Sequence, residues 1–313
     1  MRLPSSDPAV VGTIVASAGG VGFYTKVRLI LTVVIAAGAI TGEWYAAATE
    51  QRDEVGCKRM GSLLPLPGLP EASGVAPSRR TGGVLWALND SGDPELVAVG
   101  TDGSLKGRVR ITGANVQDWE ALSSAQCNGR GCLYIGDIGD NNASRKSITV
   151  YRVAEPAVGD KETAPVETFT ATYPDNPHDA EALFVGPDGE LTILTKEKPS
   201  ALYRFPAPLR AGTTVTLESA GMLPIESVTD AASSRDGEWI AVRTDAELFF
   251  FRREELVLGA HGTPVKLEKV GEPKGEGVAI GENGRVYLVG EGKQQQPGTL
   301  ATLECSYPGT PRK

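Results

Sequence analysis

The sequence predicts an all-β fold, a β-propeller of five blades, from three observations: a phrase that recurs five times, a regular interval between its copies, and strand-like runs after each copy. Each copy is an acid followed by a small residue and a short apolar stretch. The copies begin about 45–60 residues apart, a period typical of strand-built propeller blades. Their first residues are Glu71, Glu120, Glu181, Asp230 and Glu276.

The runs after each copy supply the other strands of a blade. Three of the turns before the second strand contain Asp-Gly or Asn-Gly pairs, which favour tight hairpins. An outermost fourth strand is predicted in four copies, over 106–111, 166–173, 213–219 and 264–270. The interval from Glu120 to Glu181 is the longest, so six blades are the alternative to five.

The fifth copy reaches Cys305 without an outer strand, and we expect residues 57–66 to supply it. An N-terminal strand would then close the ring and remove exposed sheet edges. Four cysteines allow three disulfide connectivities. Closure places Cys57 beside Cys305, and Cys127 and Cys132 flank a short hairpin turn, so two disulfides are predicted. The alternative is four unpaired thiols.

The N-terminal residues 1–48 are interpreted as an extension followed by a signal peptide. Lys26 and Arg28 precede an apolar run over 29–40, and the small residues 46–48 follow it. The run is shorter than the ~20 residues of a membrane span. We therefore expect export to the periplasm or the extracellular space, with a retained membrane tether as the alternative. Residues 49–56 are predicted to be a linker, 57–305 the propeller and 306–313 a C-terminal tail.

Composition excludes several function classes. The 313-residue chain has a formal net charge of −8 and shows no basic patch, which argues against nucleic-acid binding. The sequence contains no nucleophile elbow, phosphate-binding loop, dinucleotide fingerprint or zinc-protease motif. We expect the protein to be a monomer. We expect it to bind a small molecule or a protein at its loop face.

The five acids of the recurring phrase predict a calcium site. The innermost strands of a propeller line a central channel, so equivalent acids would form a ring that repels itself unless a cation is bound. Calcium accepts six to eight oxygen ligands in flexible geometry. Loops expected on the same face add three candidate ligands. The predicted metal ligands are Glu71, Asp90, Glu120, Asp137, Glu181, Asp230, Glu276 and Glu291.

Two alternatives to the metal stay open. Lys196 and Arg243 could neutralise the acids by salt bridges, or the acids could accept backbone N–H bonds at strand ends. The loop from Gly136 to Asn142 is also rich in oxygen ligands, and the alternative there is a turn that caps its own backbone.

The segments Asp118-Trp119-Glu120-Ala121, Tyr134-Ile135-Gly136-Asp137-Ile138-Gly139-Asp140-Asn141 and Ile148-Thr149-Val150-Tyr151-Arg152 resemble a largely uncharacterised group of exported bacterial β-propeller proteins. More distantly, the acid-led phrase is similar to phytase-like and gluconolactonase-like propellers. That resemblance implies calcium at the channel mouth and hydrolysis of small substrates there.

Three functions follow as hypotheses. The first is an exported, calcium-binding propeller that binds a ligand or a partner. The second is a calcium-dependent hydrolase of a phosphate ester or a lactone, with His178, Lys196 and Arg243 as candidate catalytic residues. The third is a metal-free scaffold with a salt-bridged acid ring. Salt bridges from Lys196 and Arg243 to the ring would favour the third.

Overall fold

We analysed a computed structural model, which describes residues 55–257, 259, 262–294 and 296–307. The chain divides into two units, Met1–Gln51 and Arg52–Lys313, and the strands lie in the second. The predicted signal peptide, the linker up to residue 54 and the tail from residue 308 lie outside the described residues.

The described chain is built of short strands and one helical turn. In chain order the elements are β1 (Gly56–Leu66), β2 (Ala72–Pro77), β3 (Val84–Asn89), β4 (Glu95–Gly100), β5 (Leu105–Arg110), β6 (Trp119–Cys127), β7 (Arg130–Asp137), β8 (Ile148–Ala154), β9 (Glu167–Thr172), β10 (Ala180–Val185), β11 (Leu191–Thr195), β12 (Ser200–Arg204), β13 (Thr214–Thr216), β14 (Glu218–Leu223), β15 (Val228–Ser233), β16 (Trp239–Thr244), β17 (Glu247–Arg252), α1 (Arg253–Val257), β18 (Val265–Lys266), β19 (Lys274–Ile280), β20 (Arg285–Glu291) and β21 (Gly298–Ser306).

These strands form five antiparallel blades, as predicted. From the innermost strand outward, blades 1 to 5 are β2-β3-β4-β5, β6-β7-β8-β9, β10-β11-β12-β14, β15-β16-β17-β18 and β19-β20-β21-β1. The inner strands of successive blades contact each other in a closed circle, from β2 round to β19 and back. No sixth blade is present between Glu120 and Glu181, because that interval holds the four strands of blade 2 and the loops between them.

The ring closes as the sequence predicts. Strand β1 pairs with β21 in antiparallel register, and Cys57 lies opposite Cys305. A disulfide joins these two cysteines, and a second joins Cys127 to Cys132 across the β6–β7 turn. Both ends of the described chain therefore meet in blade 5, where the hydrogen bonds between β1 and β21 and one covalent bond hold them.

One predicted strand is divided between two blades. The segment 213–219 was expected to be the outer strand of blade 3. Instead, β13 pairs in parallel with β9 of blade 2, and β14 pairs with β12 as the outer strand of blade 3. Leu217 between them is buried in the hydrophobic cluster that blades 2 and 3 share. This side chain inserts where the chain passes from one blade to the next, so the two halves cannot continue as one strand.

The hydrophobic core lies between blades rather than at one centre. Five clusters of buried side chains are present in the described residues, and each combines residues of two adjacent blades. The cluster between blades 1 and 2, for example, contains Trp86 and Trp119, both almost fully buried.

Within the described part of the chain, no helix is long and apolar enough to cross a membrane.

Candidate functional site

An irregularity in strand pairing recurs near the start of every inner strand. In each blade the register shifts where one extra residue is inserted opposite the second strand. Such a bulge redirects the side chain that it carries. Aligned by register, the equivalent residues are Ser73, Glu120, Glu181, Thr229 and Glu276. The position therefore holds three glutamates and two hydroxyl residues, whereas the sequence predicted five acids.

The two hydroxyl residues join neighbouring blades. The Ser73 hydroxyl donates to the backbone oxygen of Trp119 at 2.7 Å, and the Thr229 hydroxyl donates to the backbone oxygen of Glu276 at 2.9 Å. In both cases a residue at the bulge fixes the inner strand of the next blade. These contacts set the positions of the backbone that carries Glu120 and Glu276.

The other two acids of the phrase lie away from this position. Glu71 is exposed two residues before Ser73, and it accepts a hydrogen bond from Ser91. Asp230 is fully buried one residue after Thr229 and accepts the backbone N–H groups of Ala231 and Val278, each at 2.8 Å. Burial raises the pKa of Asp230. Asp230 thus connects blades 4 and 5 by accepting the Val278 N–H group.

Three glutamates, Glu120, Glu181 and Glu276, form what we call the glutamate mouth. All three are at most 8% exposed. The Lys196 ammonium lies 2.5 Å from Glu181, and the Lys274 ammonium lies 2.8 Å from Glu276. Burial raises the pKa of Glu181 to about 7 although Lys196 opposes the shift, and burial also raises the pKa of Glu276. Two of the three carboxyls are therefore held by lysines.

Glu120 differs from the other two glutamates. Among the described residues it forms no ion pair with a basic side chain; its neighbour is Asp118, with which it shares a hydrogen bond. Burial first, and then the negative charge of Glu181, raise the pKa of Glu120 to about 10. Glu120 is consequently protonated at neutral pH, so that its O–H donates to the Asp118 carboxylate.

Gly139 permits this arrangement of the two carboxyls. A Cβ atom at position 139 would lie 2.5 Å from the Asp118 carboxyl carbon and 2.7 Å from Glu120 Oε1. A larger residue would displace one or both acids. The glycine belongs to the loop after β7, which the sequence predicted either to supply metal ligands or to cap its own backbone.

The carboxylates of that loop accept backbone N–H groups. Asp137 accepts the backbone N–H groups of Gln117 and Asp118 and pairs with Arg145 at 2.9 Å. Asp140 accepts the backbone N–H of Arg145 at 2.7 Å. Asp140 thus caps its own loop, as the structural alternative predicted, whereas Asp137 holds the segment before β6.

Two further predicted ligands lie near the mouth. Asp90 is half-buried, and burial together with the charge of Glu71 raises its pKa to about 7. Its Oδ1 atom is buried and has no hydrogen-bond partner in the described part of the chain. Glu291 receives a hydrogen bond of 2.6 Å from Lys274, so that one lysine joins Glu291 to Glu276.

The structure separates the three candidate catalytic residues. Lys196 is at the mouth, whereas Arg243 is fully buried, paired with Glu272 at 2.6 Å and bonded to the backbone oxygens of Gly277 and Val289. Arg243 can bind no ligand from solvent in this position. In the described residues it forms no salt bridge with a ring acid, although its charge opposes the rise in the pKa of Asp230 and of Glu276.

His178 belongs to a different cluster, on the loop between β9 and β10. Its ring nitrogens lie 2.9 Å from Glu197 and 3.1 Å from Asp175, and Tyr203 also contacts it. Burial lowers the pKa of His178, but hydrogen bonds to Glu197 and Asp175 outweigh that effect and raise it.

Asp118 and Lys274 are the site residues that the sequence analysis did not select. Asp118 was visible in the segment Asp118-Trp119-Glu120-Ala121, but it does not recur in the other copies. The equivalence of the bulges could have been found by aligning the second strands. Asn89 and Asp137 end β3 and β7 at matching positions, and they pair with Ala72 and Trp119. That alignment makes Ser73, not Glu71, the residue of blade 1 that is equivalent to Glu120 of blade 2.

No protein-family model matches the chain. No curated protein matches it. Solved structures do. The PQQ-bound aldose sugar dehydrogenase from Streptomyces coelicolor is 10% identical over 81% of this chain and 99% of its own, with a TM-score of 0.50.

A gluconolactonase from Xanthomonas campestris is 12% identical over 82% and 99% of the two chains, with a TM-score of 0.44. A catalytically inactive virginiamycin B lyase from Staphylococcus aureus, with quinupristin, is 10% identical over 80% and 99%, with a TM-score of 0.42. The chain has a β-propeller fold. At these identities the likeness extends to the fold and no further.

The glutamate mouth does not present a ready set of calcium ligands. In the described residues, no group of three or more His, Cys, Asp or Glu side chains is close enough to hold a metal. Lysine ammonium groups contact Glu181 and Glu276, and a proton neutralises Glu120. Calcium prefers six to eight converging oxygens. Two lysines and one proton therefore compete with calcium for these carboxyls.

Proposed function

We propose that this protein is an exported β-propeller whose glutamate mouth binds a small lactone or neutral ester and hydrolyses it by general acid–base catalysis. The observation that carries the proposal is the contrast between two neighbouring buried carboxyls. The pKa of Glu120 is about 10, whereas the pKa of Glu181 is about 7. Carboxyl pairs whose surroundings separate their pKa values in this way supply an acid and a base to a reaction.

The roles follow from the protonation states. The Glu181 carboxylate takes a proton from a water molecule as that water attacks the carbonyl carbon of the substrate. The protonated Glu120 donates its proton to the alkoxide oxygen as the carbon–oxygen bond of the ester breaks. The product is a carboxylic acid with a free hydroxyl group. Exchange of one proton with solvent at each glutamate then restores the starting state.

Charge selects the substrate class. The two ammonium groups at the mouth, of Lys196 and Lys274, are already paired with Glu181 and Glu276. Among these residues no unpaired cation remains to bind an anionic phosphate ester, whereas a neutral lactone needs none. Of the two substrate classes considered from the sequence, the geometry favours the lactone.

The test is a hydrolysis assay on simple lactones and on p-nitrophenyl acetate, with p-nitrophenyl phosphate alongside. We expect activity on the neutral substrates that rises as pH passes about 7, where Glu181 loses its proton, and falls above about 10, where Glu120 does. Glu181→Gln and Glu120→Gln are each expected to lower kcat/KM at least ~100-fold.

The matched control is Glu197→Gln, which makes the same chemical change at the carboxylate that contacts His178, in a cluster separate from the glutamate mouth. It should leave kcat/KM within a few-fold of wild type. Binding of the lactones without turnover, measured by calorimetry, would instead support the ligand-binding function. Equal loss in the control variant, or an activity that does not change between pH 5 and 9, would contradict the acid–base assignment.

Calcium binding is a second candidate, favoured by one observation: Glu120 forms no ion pair with a basic side chain in the described residues. A cation there would replace the proton and draw in Asp118. A melting curve in calcium and then in chelator tests this, since a ligand that binds only the folded state raises the melting temperature. We expect a rise of a few degrees if calcium binds; Glu120→Gln should abolish it. An unchanged melting temperature would contradict calcium binding.

The two disulfides support export, because such bonds persist in oxidising compartments and are rare in the cytosol. Export, membership of the exported bacterial group and the monomeric state remain parts of the proposal. N-terminal sequencing of protein secreted from an expression host would locate the cleavage that the alanines at 46–48 predict.

A further inference from the structure

The end of the channel opposite the glutamate mouth contains a cavity. Ser124 lies four residues after Glu120 on β6, and Ile280 lies four residues after Glu276 on β19. Residues four apart on a strand are separated by about 13 Å, at roughly 3.3 Å per residue. Ser124 and Ile280 both line a cavity of about 620 Å³. The cavity and the glutamate mouth therefore lie at the two ends of the inner strands.

The cavity is strongly basic. Four arginines line it, and among its lining residues in the described part of the chain the single acid is Glu282. That glutamate pairs with Arg235 at 3.1 Å, but both side chains are more than half exposed, so the pair is weak. We call this feature the arginine cavity. Its arginines come from blades 1, 4 and 5: Arg79, Arg80, Arg235 and Arg285.

This concentration of positive charge is unusual for the chain. The protein as a whole carries a net charge of −8, and its acids outnumber its lysines and arginines by 39 to 31. Four guanidinium groups facing one carboxylate repel each other unless an anion is present. Clefts lined by one sign of charge raise the local concentration of the opposite ion.

Arg79 shows that the charge is incompletely neutralised. One of its terminal nitrogens donates to the backbone oxygen of Ser124 at 2.8 Å, but its Nε atom is buried and has no hydrogen-bond partner in the described part of the chain. Burial and the charge of Arg235 lower the pKa of Arg79.

The Glu155 carboxylate, which lies beside Arg79, already has other partners. Its oxygens accept the Trp86 indole N–H at 2.9 Å, the backbone N–H of Arg79 at 2.9 Å and the Ser78 hydroxyl. An anion in the cavity would supply the missing compensation for the Arg79 guanidinium.

We propose that the arginine cavity is a binding site for a small organic anion that carries phosphate or carboxylate groups. Guanidinium groups bind both kinds of anion in a two-bond, planar geometry. The hydroxyl of Ser124 adds a donor, and Tyr287 and Ile280 provide an apolar wall for a ring or a short chain. A volume of about 620 Å³ lies within the range for metabolite-sized ligands.

The test is calorimetric titration with sodium pyrophosphate and, separately, with sodium citrate, at constant ionic strength set by sodium chloride. We expect saturable binding of at least one of the two, and the stronger binder distinguishes a phosphate from a carboxylate ligand. The double variant Arg235→Gln with Arg285→Gln should weaken the affinity at least ~10-fold. Arg80→Gln, at an exposed side chain, is a second variant that leaves the buried contacts of Arg79 intact.

The matched control is Arg108→Gln with Arg253→Gln, which removes the same charge from surface pairs with Glu95 and Asp188. It should retain wild-type affinity for the anion. Glu120→Gln should also retain it, so failure of this site and failure of the glutamate mouth can be told apart. Heats no larger than those of sodium chloride, or an equal loss of affinity in the control, would overturn the proposal.

Discussion

Replacing Cys57 and Cys305 together by serine is expected to lower the free energy of unfolding by about 5 kcal/mol. The bond joins residues 248 apart in sequence, and cross-linking so long a loop restricts the unfolded chain strongly. The folded ring also loses the covalent bond between β1 and β21, which are the two ends of the described propeller. Urea unfolding followed by tryptophan fluorescence measures the effect.

The second disulfide provides the comparison. Cys127 and Cys132 are only 5 residues apart, so the same chain-entropy relation gives about 2 kcal/mol for their replacement by serine. We expect the long-range bond to contribute at least twice as much as the local one. Equal losses for the two double variants would show that closure through Cys57 is not what restrains the unfolded chain.

Arg243→Met is expected to destabilise the protein by about 3–5 kcal/mol. Arg243 is fully buried, and the variant would leave the buried Glu272 carboxylate and two backbone oxygens without their donor. Removing one member of a buried pair leaves an uncompensated charge, which accounts for the size of the effect. Urea unfolding at pH 7 provides the measurement.

Two variants check the cause of that loss. Lys198→Met removes a basic residue from an exposed pair with Glu226 and should change the free energy of unfolding by less than about 1 kcal/mol. The double variant Arg243→Met with Glu272→Gln should be more stable than Arg243→Met alone, because the unpaired charge is gone. An Arg243→Met protein within 1 kcal/mol of wild type would contradict this role of the ion pair.

The Arg243 result also separates a structural ion pair from a catalytic one. The sequence places Arg243 at the end of a second strand, the same position that would suit an anion-binding residue. In the structure Arg243 lies beneath the inner strand of blade 5, where a Cβ atom on Gly275 would be 2.2 Å from one of its nitrogens. Close passage of a glycine backbone lets the arginine fill the space between blades 4 and 5.

Much of the fold could be predicted because propeller strands form local hairpins. The Asp-Gly and Asn-Gly turns predicted before the second strands adopt positive φ at Gly189, Gly237 and Gly284. The third strand of the fifth copy ends near Cys305 without an outer strand beside it. The segment from Cys57 had no place in any other blade, so it could supply that outer strand. The exchange of β13 into blade 2 could not be predicted, because it depends on Leu217 packing between two blades.

The sequence by itself predicted five blades, with six as the alternative, and it predicted the closing strand, both disulfides and the presence of Glu120, Glu181 and Glu276 at one recurring position. It did not determine which acids face the channel, because a bulge of one residue decides whether Ser73 or Glu71, and Thr229 or Asp230, occupies that place. Only the tertiary structure decided the protonation of Glu120 and the position of four arginines around the arginine cavity. Both depend on the burial and charge of groups from different blades, which sequence spacing does not encode.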